Sequence, residues 1–251
     1  MRFQDRVVLV TGGGTGLGRA TALAFAREGG SVMVAGRTEE ALKETVRLIE
    51  AEGGTAAFVV ADVSDSADAA RMVAETVRRF GGLHVAFNNA GVFVPAAPLA
   101  DLDEDAWTTG LTINATGTFL SLKHEIAHMR AHGGGTIVNM ASNIGVHGRR
   151  PSLAGYTVAK AAVSALTRAA AVDHIRDGVR INAVSPGASD GPMSFLPGES
   201  AEQRQARMTT ANPLGRVGEA AEIAAAVLWL ASDESGFVVG HDMVVDGGVT
   251  A

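Results

Sequence analysis

Residues 7–29 read VVLVTGGGTGLGRATALAFAREG, and this stretch decides the fold class. Its consecutive apolar residues predict a buried strand over about 6–11, and a helical period follows the glycines over 16–29. Glycines permit a tight turn and close backbone approach, while the free amides at a helix start attract phosphate. A strand, a glycine turn and a helix in this order therefore predict a turn that binds pyrophosphate.

The spacing within this turn narrows the choice of ligand. The pattern G-x-G-x-x-G fails because Leu17 stands where the third glycine is needed. The Walker pattern fails because Arg19 follows Gly18 in place of a lysine. What fits is T-G-x-x-x-G-x-G, starting at Thr11. A glycine-rich turn of purely structural purpose is the alternative. We expect a dinucleotide to be bound here by Gly12, Thr15, Gly16, Leu17 and Gly18.

Short β-branched runs alternate with helical stretches along the whole chain. Strands are predicted at about 6–11, 31–36, 55–61, 83–88, 134–141, 178–185 and 242–246. Helices are predicted near 16–29, 38–52, 65–79, 104–131, 154–176 and 218–231. This order predicts an α/β fold, a single doubly wound (Rossmann) domain over 1–251 with a parallel sheet of about seven strands and helices on both faces. Residues 186–200 carry neither signal, so we expect a substrate-loop insertion around 186–210.

Composition excludes several classes of function. The chain of 251 residues is 47% hydrophobic, carries a net charge of -6 and has no cysteine. Disulfides, thiolate nucleophiles and sulfur-ligated zinc are therefore excluded, and we expect no metal site. The acidic balance argues against nucleic acid and membrane surfaces, so a small-molecule partner is expected. Because no signal-peptide core or membrane span is visible, we expect a cytoplasmic protein.

The end of the second strand indicates which dinucleotide binds. An acidic residue there bonds the ribose 2′-hydroxyl, whereas an arginine accommodates a 2′-phosphate. This chain has Gly36 followed by Arg37, so no acid repels a phosphate and a guanidinium can bind one. We expect NADP(H) to be preferred, with NAD(H) possible. A solvated arginine at a helix start is the alternative, and the absence of a basic residue at Thr15 weakens the NADP interpretation.

A serine, a tyrosine and a lysine form the candidate catalytic group. The strand TIVNMAS ends at Ser142, and a later helix carries Tyr156 and Lys160 four positions apart on one face. An ammonium at ~4 Å contributes roughly 4 kcal/mol at an effective dielectric of about 20, or about three pKa units. This would bring the phenol of the chain's only tyrosine near working pH. Alone, a Tyr-x-x-x-Lys pair is more often a surface contact.

The combined motifs resemble the short-chain dehydrogenase/reductase family. The similarity rests on TGGGTGLG, NNAG at 88–91, Asn114, Ser142 and YTVAK, and it continues through NPLGR at 212–216 and VVDGG at 244–248. The resemblance implies an NAD(P)-dependent oxidoreductase that moves a hydride between the cofactor and a carbonyl or secondary alcohol. It also implies a homotetramer formed through helices 104–131 and 154–176 and the VVDGG segment.

The resemblance assigns roles residue by residue. It implies a catalytic tetrad of Asn114, Ser142, Tyr156 and Lys160, in which Asn114 holds a water of the proton relay and Lys160 also binds the nicotinamide ribose. It implies further cofactor contacts at Asp62, Val63, Asn89, Ala90, Gly91, Pro186, Gly187 and Ser189. Taken singly, NNAG is as often a turn that stabilises the sheet.

Two departures from the family pattern affect the active site. Gly191 stands where a threonine usually contacts the nicotinamide carboxamide, and Ser189 is expected to replace it in part. Ser142 and Tyr156 are also one position further apart than expected, so the intervening residues form a loop on the substrate side. In this loop Arg149 and Arg150 either attract an anionic substrate or are solvated.

Substrate identity is expected to depend on loops 92–100, 143–153 and 186–210. Their apolar residues favour an apolar ketone or alcohol: Phe93, Val94, Leu153, Met193, Phe195 and Leu196. A 3-oxoacyl-thioester (acyl-carrier) reductase is an alternative. A nucleotide-binding regulator without turnover is another, disfavoured by the intact tetrad.

A serine hydrolase is the remote alternative. The stretch 187–191 matches G-x-S-x-G around Ser189, and Asp233 and His241 follow in hydrolase order. That reading requires a strand, the serine and then a helix, whereas Pro192 and Pro197 follow the serine and stop a helix.

Overall fold

Seven parallel strands form one sheet in the computed structural model, which describes residues 1–191, 194–196 and 198–251. The strand order is β3-β2-β1-β4-β5-β6-β7, and every pairing is parallel. This confirms the predicted doubly wound sheet. The strands are β1 (Val7–Thr11), β2 (Ser31–Gly36), β3 (Thr55–Val60), β4 (Val85–Asn88), β5 (Gly135–Met140), β6 (Val179–Pro186) and β7 (Asp242–Val245).

Helices connect the strands and cover both faces of the sheet. They are α1 (Gly16–Arg27), α2 (Glu39–Ala51), α3 (Ser66–Phe80), α4 (Glu104–Leu111), α5 (Gly117–Ala131), α6 (Ala154–His174), α7 (Ala201–Ala211) and α8 (Ala220–Ala231). None of the described helices combines the length and the apolar character needed to cross a bilayer.

Strand β1 is buried on both faces, which explains why its sequence is apolar without alternation. Val8 and Val10 pack into the core that contains Phe25 of α1. Leu9, between them, packs into the opposite core with Met72 of α3. Successive side chains of a strand point to opposite faces, so a strand covered by helices on both sides needs apolar residues at each position.

The strand order reverses between β1 and β4. The chain leaves β1 toward β2 on one side, whereas β4 pairs with the other side of β1. In open parallel sheets a crevice forms beyond the carboxyl ends of the strands at such a point, and ligands bind there. The glycine turn after β1 and the NNAG segment after β4 therefore meet at this crevice.

The predicted helix over 104–131 contains a π-helical turn. Helix α4 ends at Leu111, Thr112–Thr116 form the π turn, and α5 continues to Ala131. A π turn adds one residue to the helical path and occurs often at functional sites. Asn114 lies in this turn and is fully buried.

Helix α7 corrects the prediction for 186–210, because residues 201–211 are helical rather than loop. Met208 is the only buried residue of α7, so the segment lacks the apolar period that marks an amphipathic helix. A capping box between Ser200 and Gln203 was the signal available in the sequence. Met193, Pro192 and Pro197 lie outside the described residues.

A row of hydrogen-bonded, buried polar side chains runs from α5 over the neighbouring strands β4 and β5 to α6. Asn88 Nδ2 donates to Glu125 Oε2 at 2.9 Å and to Asn139 Oδ1 at 3.1 Å. Asn139 Nδ2 donates in turn to Thr167 Oγ1 at 2.9 Å. Among the described residues, Glu125 Oε1 and Asn88 Oδ1 have no hydrogen-bond partner. Burial raises the pKa of Glu125 to about 7, and the Asn88 hydrogen bond acts in the opposite direction.

Replacing Glu125 with glutamine is expected to stabilise the protein at alkaline pH. A carboxyl group whose pKa is raised on folding stays protonated in the native state, so stability falls as pH rises from 4.5 to about 7. Glu125→Gln keeps an acceptor for Asn88 and cannot ionise. Above this window the variant should gain up to about 3 kcal/mol in free energy of unfolding, measured by denaturant titration.

Below the window the two proteins should differ little, because the wild-type carboxyl is neutral in both states. Glu50→Gln, at an exposed position of α2, is the matched control and should change stability little at any pH. A difference that does not vary with pH would show that Glu125 is not the titrating group.

Candidate active site

The glycine turn brings the start of α1 onto the end of β1. Gly12 has a φ of +63° and Gly16 a φ of +51°, a backbone region that favours glycine. A Cβ on Gly18 would collide with the carbonyl oxygen of Gly12, and it would lie 2.6 Å from Asn89 Nδ2. A Cβ on Gly16 would meet nothing within 4 Å. The turn is therefore packed against Gly12 and Asn89 at Gly18 and open to solvent at Gly16. A pyrophosphate could approach the free amides of the helix start from this open side.

Asn89 and Thr11 hold the turn against the segment after β4. The backbone N–H groups of Asn89 and Ala90 donate to Thr11 Oγ1 at 3.0 and 3.1 Å. Asn89 Nδ2 donates to the carbonyl oxygens of Thr11 and Gly12 at 3.1 and 3.2 Å. Since this amide is bonded to the turn, Asn89 supports the site from below.

A cleft of about 220 Å³ opens above the turn. Of the predicted cofactor residues, Gly12, Thr15, Arg37, Asp62, Val63, Ala90 and Gly91 line it together. The prediction missed other lining residues: Gly14, Gly36, Thr38, Ala41, Leu42, Ala61, Val92 and Ile113. The predicted residues at the end of β6 are not among its lining: Pro186, Gly187 and Ser189.

Two arginines near the cleft have different environments. Arg19 donates to Thr45 Oγ1 at 3.0 Å and to the carbonyl of Ala41 at 3.2 Å, so it ties α1 to α2. Arg37 is 64% exposed at the rim, with its Nη1 3.8 Å from Asp62 Oδ2. Arg37 therefore remains available to a ligand, whereas Arg19 is used in the fold.

Asn114 fixes the π turn against the segment that follows NNAG. Its Nδ2 donates to the carbonyl oxygens of Val92 and Gly110 at 3.0 and 2.9 Å, and its Oδ1 accepts from Val92 N at 3.1 Å. Its backbone oxygen accepts from Thr118 Oγ1 at 2.7 Å. Both hydrogens of the side-chain amide are thus bonded to backbone oxygens of the protein. The water contact expected of Asn114 stays a prediction.

Ser142, Tyr156 and Lys160 come together beside Gly91 of the cleft. Lys160 Nζ donates to the carbonyl oxygen of Met140, the last residue of β5, at 2.9 Å. A Cβ on Gly91 would lie 2.6 Å from Asn114 Oδ1 and 3.4 Å from Lys160 Nζ. The close packing at Gly91 therefore joins the predicted tetrad to the cofactor cleft.

The electrostatics of the tyrosine differ from the prediction. Burial raises the pKa of the Tyr156 phenol, and hydrogen bonding with Ser142 opposes this rise. This direction is opposite to the lowering predicted from the Lys160 ammonium, whose Nζ lies 6.0 Å from the ring centroid and donates to the carbonyl oxygen of Met140. Burial also lowers the pKa of Lys160 to about 8.

The apolar residues of loop 92–100 have opposite environments. Phe93 is 42% exposed, and its ring centroid lies 5.0 Å from that of Tyr156. Val94, expected to face a substrate, is instead buried between helices, since a Cβ on Gly155 would lie 2.9 Å from its Cγ1. Phe93 is therefore the residue of this pair that can form a wall beside the phenol.

Among the described residues after β6, no α-helix begins at Ser189, as a nucleophile elbow would require. Ser189 instead makes an isolated parallel bridge with Gly218, and α7 begins at Ala201. The Asp233 side chain is 99% exposed and pairs with Arg6. Gly191 has a φ of +151°, a conformation in which the usual threonine would be strained.

Comparison with known proteins identifies the family. A family model described as enoyl-(acyl carrier protein) reductase matches residues 12–250. The chain belongs to the short-chain dehydrogenase/reductase family. It is 41% identical over 249 residues to cis-4-hydroxycyclohexanecarboxylate dehydrogenase of Sinomonas cyclohexanicum, covering 99% of this chain and 98% of that protein.

Two further short-chain dehydrogenase/reductase proteins agree with this assignment. Cyclohexanol dehydrogenase of Acinetobacter sp. strain SE19 is 38% identical over 250 residues, covering 100% of this chain and 97% of the relative. The crystal structure of levodione reductase superposes with a TM-score of 0.94 at 38% identity and covers 99% of each chain. The chain is therefore an NAD(P)-dependent oxidoreductase that transfers hydride between the cofactor and an alcohol or ketone.

Proposed function

We propose that this enzyme interconverts cyclic secondary alcohols and ketones, with Tyr156 as the general acid in reduction and the base in oxidation. The observation that carries the proposal is the contact of the Tyr156 phenol with Ser142 on one side and the Phe93 ring on the other. The relatives support the ring preference, because their names describe a cyclohexanol, a hydroxycyclohexanecarboxylate and a levodione as substrates.

The chain's own residues perform the proton transfer and the orientation. A bound nicotinamide supplies or accepts the hydride, and the glycine turn, Asp62 and Val63 would hold the dinucleotide. The Tyr156 hydroxyl gives its proton to the carbonyl oxygen during reduction, while Ser142 donates a hydrogen bond at the same oxygen. The Lys160 Nζ lies 6.0 Å from the ring centroid of the resulting phenolate, and the Phe93 ring lies against the Tyr156 ring.

Removing the phenol hydroxyl tests this mechanism. Tyr156→Phe keeps the ring against Phe93 but cannot transfer a proton, so kcat for cyclohexanone reduction should fall by about 100-fold or more. The dissociation constant of NADPH, followed by fluorescence, should stay near the wild-type value. Wild-type kcat/KM should be higher for cyclohexanone than for an open-chain ketone of equal carbon count.

A 3-oxoacyl thioester belongs in the same substrate panel, because the matched family model is described as an acyl-carrier reductase. Higher kcat/KM for the thioester would replace the cyclic-ketone proposal with an acyl reductase. A Tyr156→Phe variant that retains most of the wild-type kcat would overturn the acid/base role for every substrate.

We propose NADP(H) as the preferred cofactor. Arg37 supports this, since its guanidinium is exposed at the rim of the cleft and no acid ends β2. The carboxylate of Asp62 lies 3.8 Å from Arg37, close enough to orient the guanidinium without a tight ion pair. A 2′-phosphate of the adenosine ribose would gain a forked donor at this position.

Reversing the charge at Arg37 should reverse the preference. Arg37→Asp replaces a phosphate donor with a group that repels phosphate and accepts from a ribose 2′-hydroxyl. The ratio of kcat/KM for NADPH over NADH should fall from above one to below one. Arg79→Asp, an equal charge change at an exposed site on α3, should leave this ratio unchanged. A wild-type enzyme that favours NADH would contradict the proposal.

We also propose a homotetramer. Exposed apolar side chains on the expected contact helices support it: Phe119 on α5, and Val158 and Val172 on α6. Light scattering at micromolar concentration should give about four times the chain mass of 25.7 kDa. A particle of one chain mass would refute it.

A further inference from the structure

The loop that carries Ser142 is a closed turn, here named the serine loop (residues 142–148). Asn143 N donates to the carbonyl of Pro186 at 3.0 Å, and Gly148 N donates to the carbonyl of Asn143 at 2.7 Å. Ile144 N donates to Ser142 Oγ at 3.1 Å. The position of the serine hydroxyl therefore depends on the conformation of the whole loop.

The serine loop lies directly on the helix that carries Tyr156 and Lys160. A Cβ on Gly145 would lie 3.3 Å from Ala161 N and 3.4 Å from the carbonyl carbon of Lys160. Any change in the loop's distance from α6 would therefore alter the contact between Ser142 and Tyr156. The side-chain contacts of the loop with other elements therefore bear on the position of Ser142.

Two carboxylates, one at the start of β7 and one just after it, contact this loop. Asn143 Nδ2 donates to Asp246 Oδ2 at 3.1 Å. His147 Nε2 lies 3.1 Å from Asp242 Oδ2 without forming a hydrogen bond. Asn143 and His147 thus each contact a carboxylate of the last strand or of the residue after it.

Asp242 connects the loop to α6 as well. Its side chain is 4% exposed, and it accepts from Ser164 Oγ at 2.6 Å and from Ser185 Oγ at 2.5 Å. Ser164 lies one turn beyond Lys160 on α6. One buried carboxylate therefore contacts the serine loop through His147, α6 through Ser164 and β6 through Ser185.

We propose that His147 is a positioning residue of the active site. Its contact with the buried Asp242 carboxylate holds the serine loop against α6, so that the Ser142 hydroxyl stays on the Tyr156 phenol. This inference rests on the proposed role of Tyr156. His147 touches neither the phenol nor the glycine turn in the described contacts, and it acts through the loop.

Two isosteric substitutions test the contact. The side-chain amide of glutamine reaches about where Nε2 of histidine lies, whereas that of asparagine reaches only about as far as Nδ1. His147→Gln should therefore keep the contact with Asp242, and His147→Asn should lose it. We expect kcat for cyclohexanone reduction to fall about 10- to 100-fold in His147→Asn and to stay near wild type in His147→Gln. The dissociation constant of NADPH should stay unchanged in both.

The single tyrosine supplies a second readout that needs no substrate. Tyrosinate absorbance in the native protein reports Tyr156 alone, because the chain has no other tyrosine. Hydrogen bonding with Ser142 lowers the pKa of this phenol, so Ser142→Ala should shift the titration to higher pH. His147→Asn should shift it in the same direction, and His147→Gln should not.

His174→Asn is the matched control, because His174 Nδ1 lies 2.9 Å from Asp177 Oδ2 at the far end of α6. It should change neither kcat nor the titration. The proposal is overturned if His147→Asn titrates like the wild type, whatever its kcat, or if His147→Gln behaves like His147→Asn. Failure of the Tyr156 mechanism is distinguished by Tyr156→Phe, which would then retain turnover while the titration of His147→Asn still shifts.

Discussion

The contact between the backbone of Gly12 and that of Gly18 is the constraint on which the site depends. No side chain fits between them, so the first turn of α1 lies directly over the end of β1. The amides at the helix start are thereby directed into the cleft, and Asn89 fixes the turn to the strand that follows on the other side. The elements that carry the proposed catalytic and cofactor-binding residues then share one edge of the sheet.

Much of the fold could be predicted from the sequence, because apolar runs and turn residues report local structure directly. The apolar run of β1 and the glycine pattern specified the strand, the turn and α1. Helix α7 was missed because Met208 is its only buried residue, so its sequence has no apolar residues at helical spacing. The π turn around Asn114 was missed because one extra residue in a helix leaves no compositional mark.

The site was predictable as a set of residue types but not as an electrostatic environment. The i, i+4 spacing of Tyr156 and Lys160 correctly places both on one helical face. It cannot say that burial raises the pKa of the phenol or that the ammonium bonds to Met140. Likewise the contact of His147 with Asp242 joins distant parts of the chain, and nothing local to either residue reveals it.

The dependence of the serine loop on β7 has a consequence for the order in which the enzyme matures. The Asn143 amide bonds to Asp246, which lies 103 positions later in the chain. The glycine turn, by contrast, is secured by Asn89, within 78 positions of Thr11. During vectorial synthesis on the ribosome the glycine turn and its Asn89 support can therefore emerge first, while the Asn143 support of the serine loop exists only after the last strand has emerged. We expect a nascent chain to form the proposed cofactor site before the proposed catalytic group.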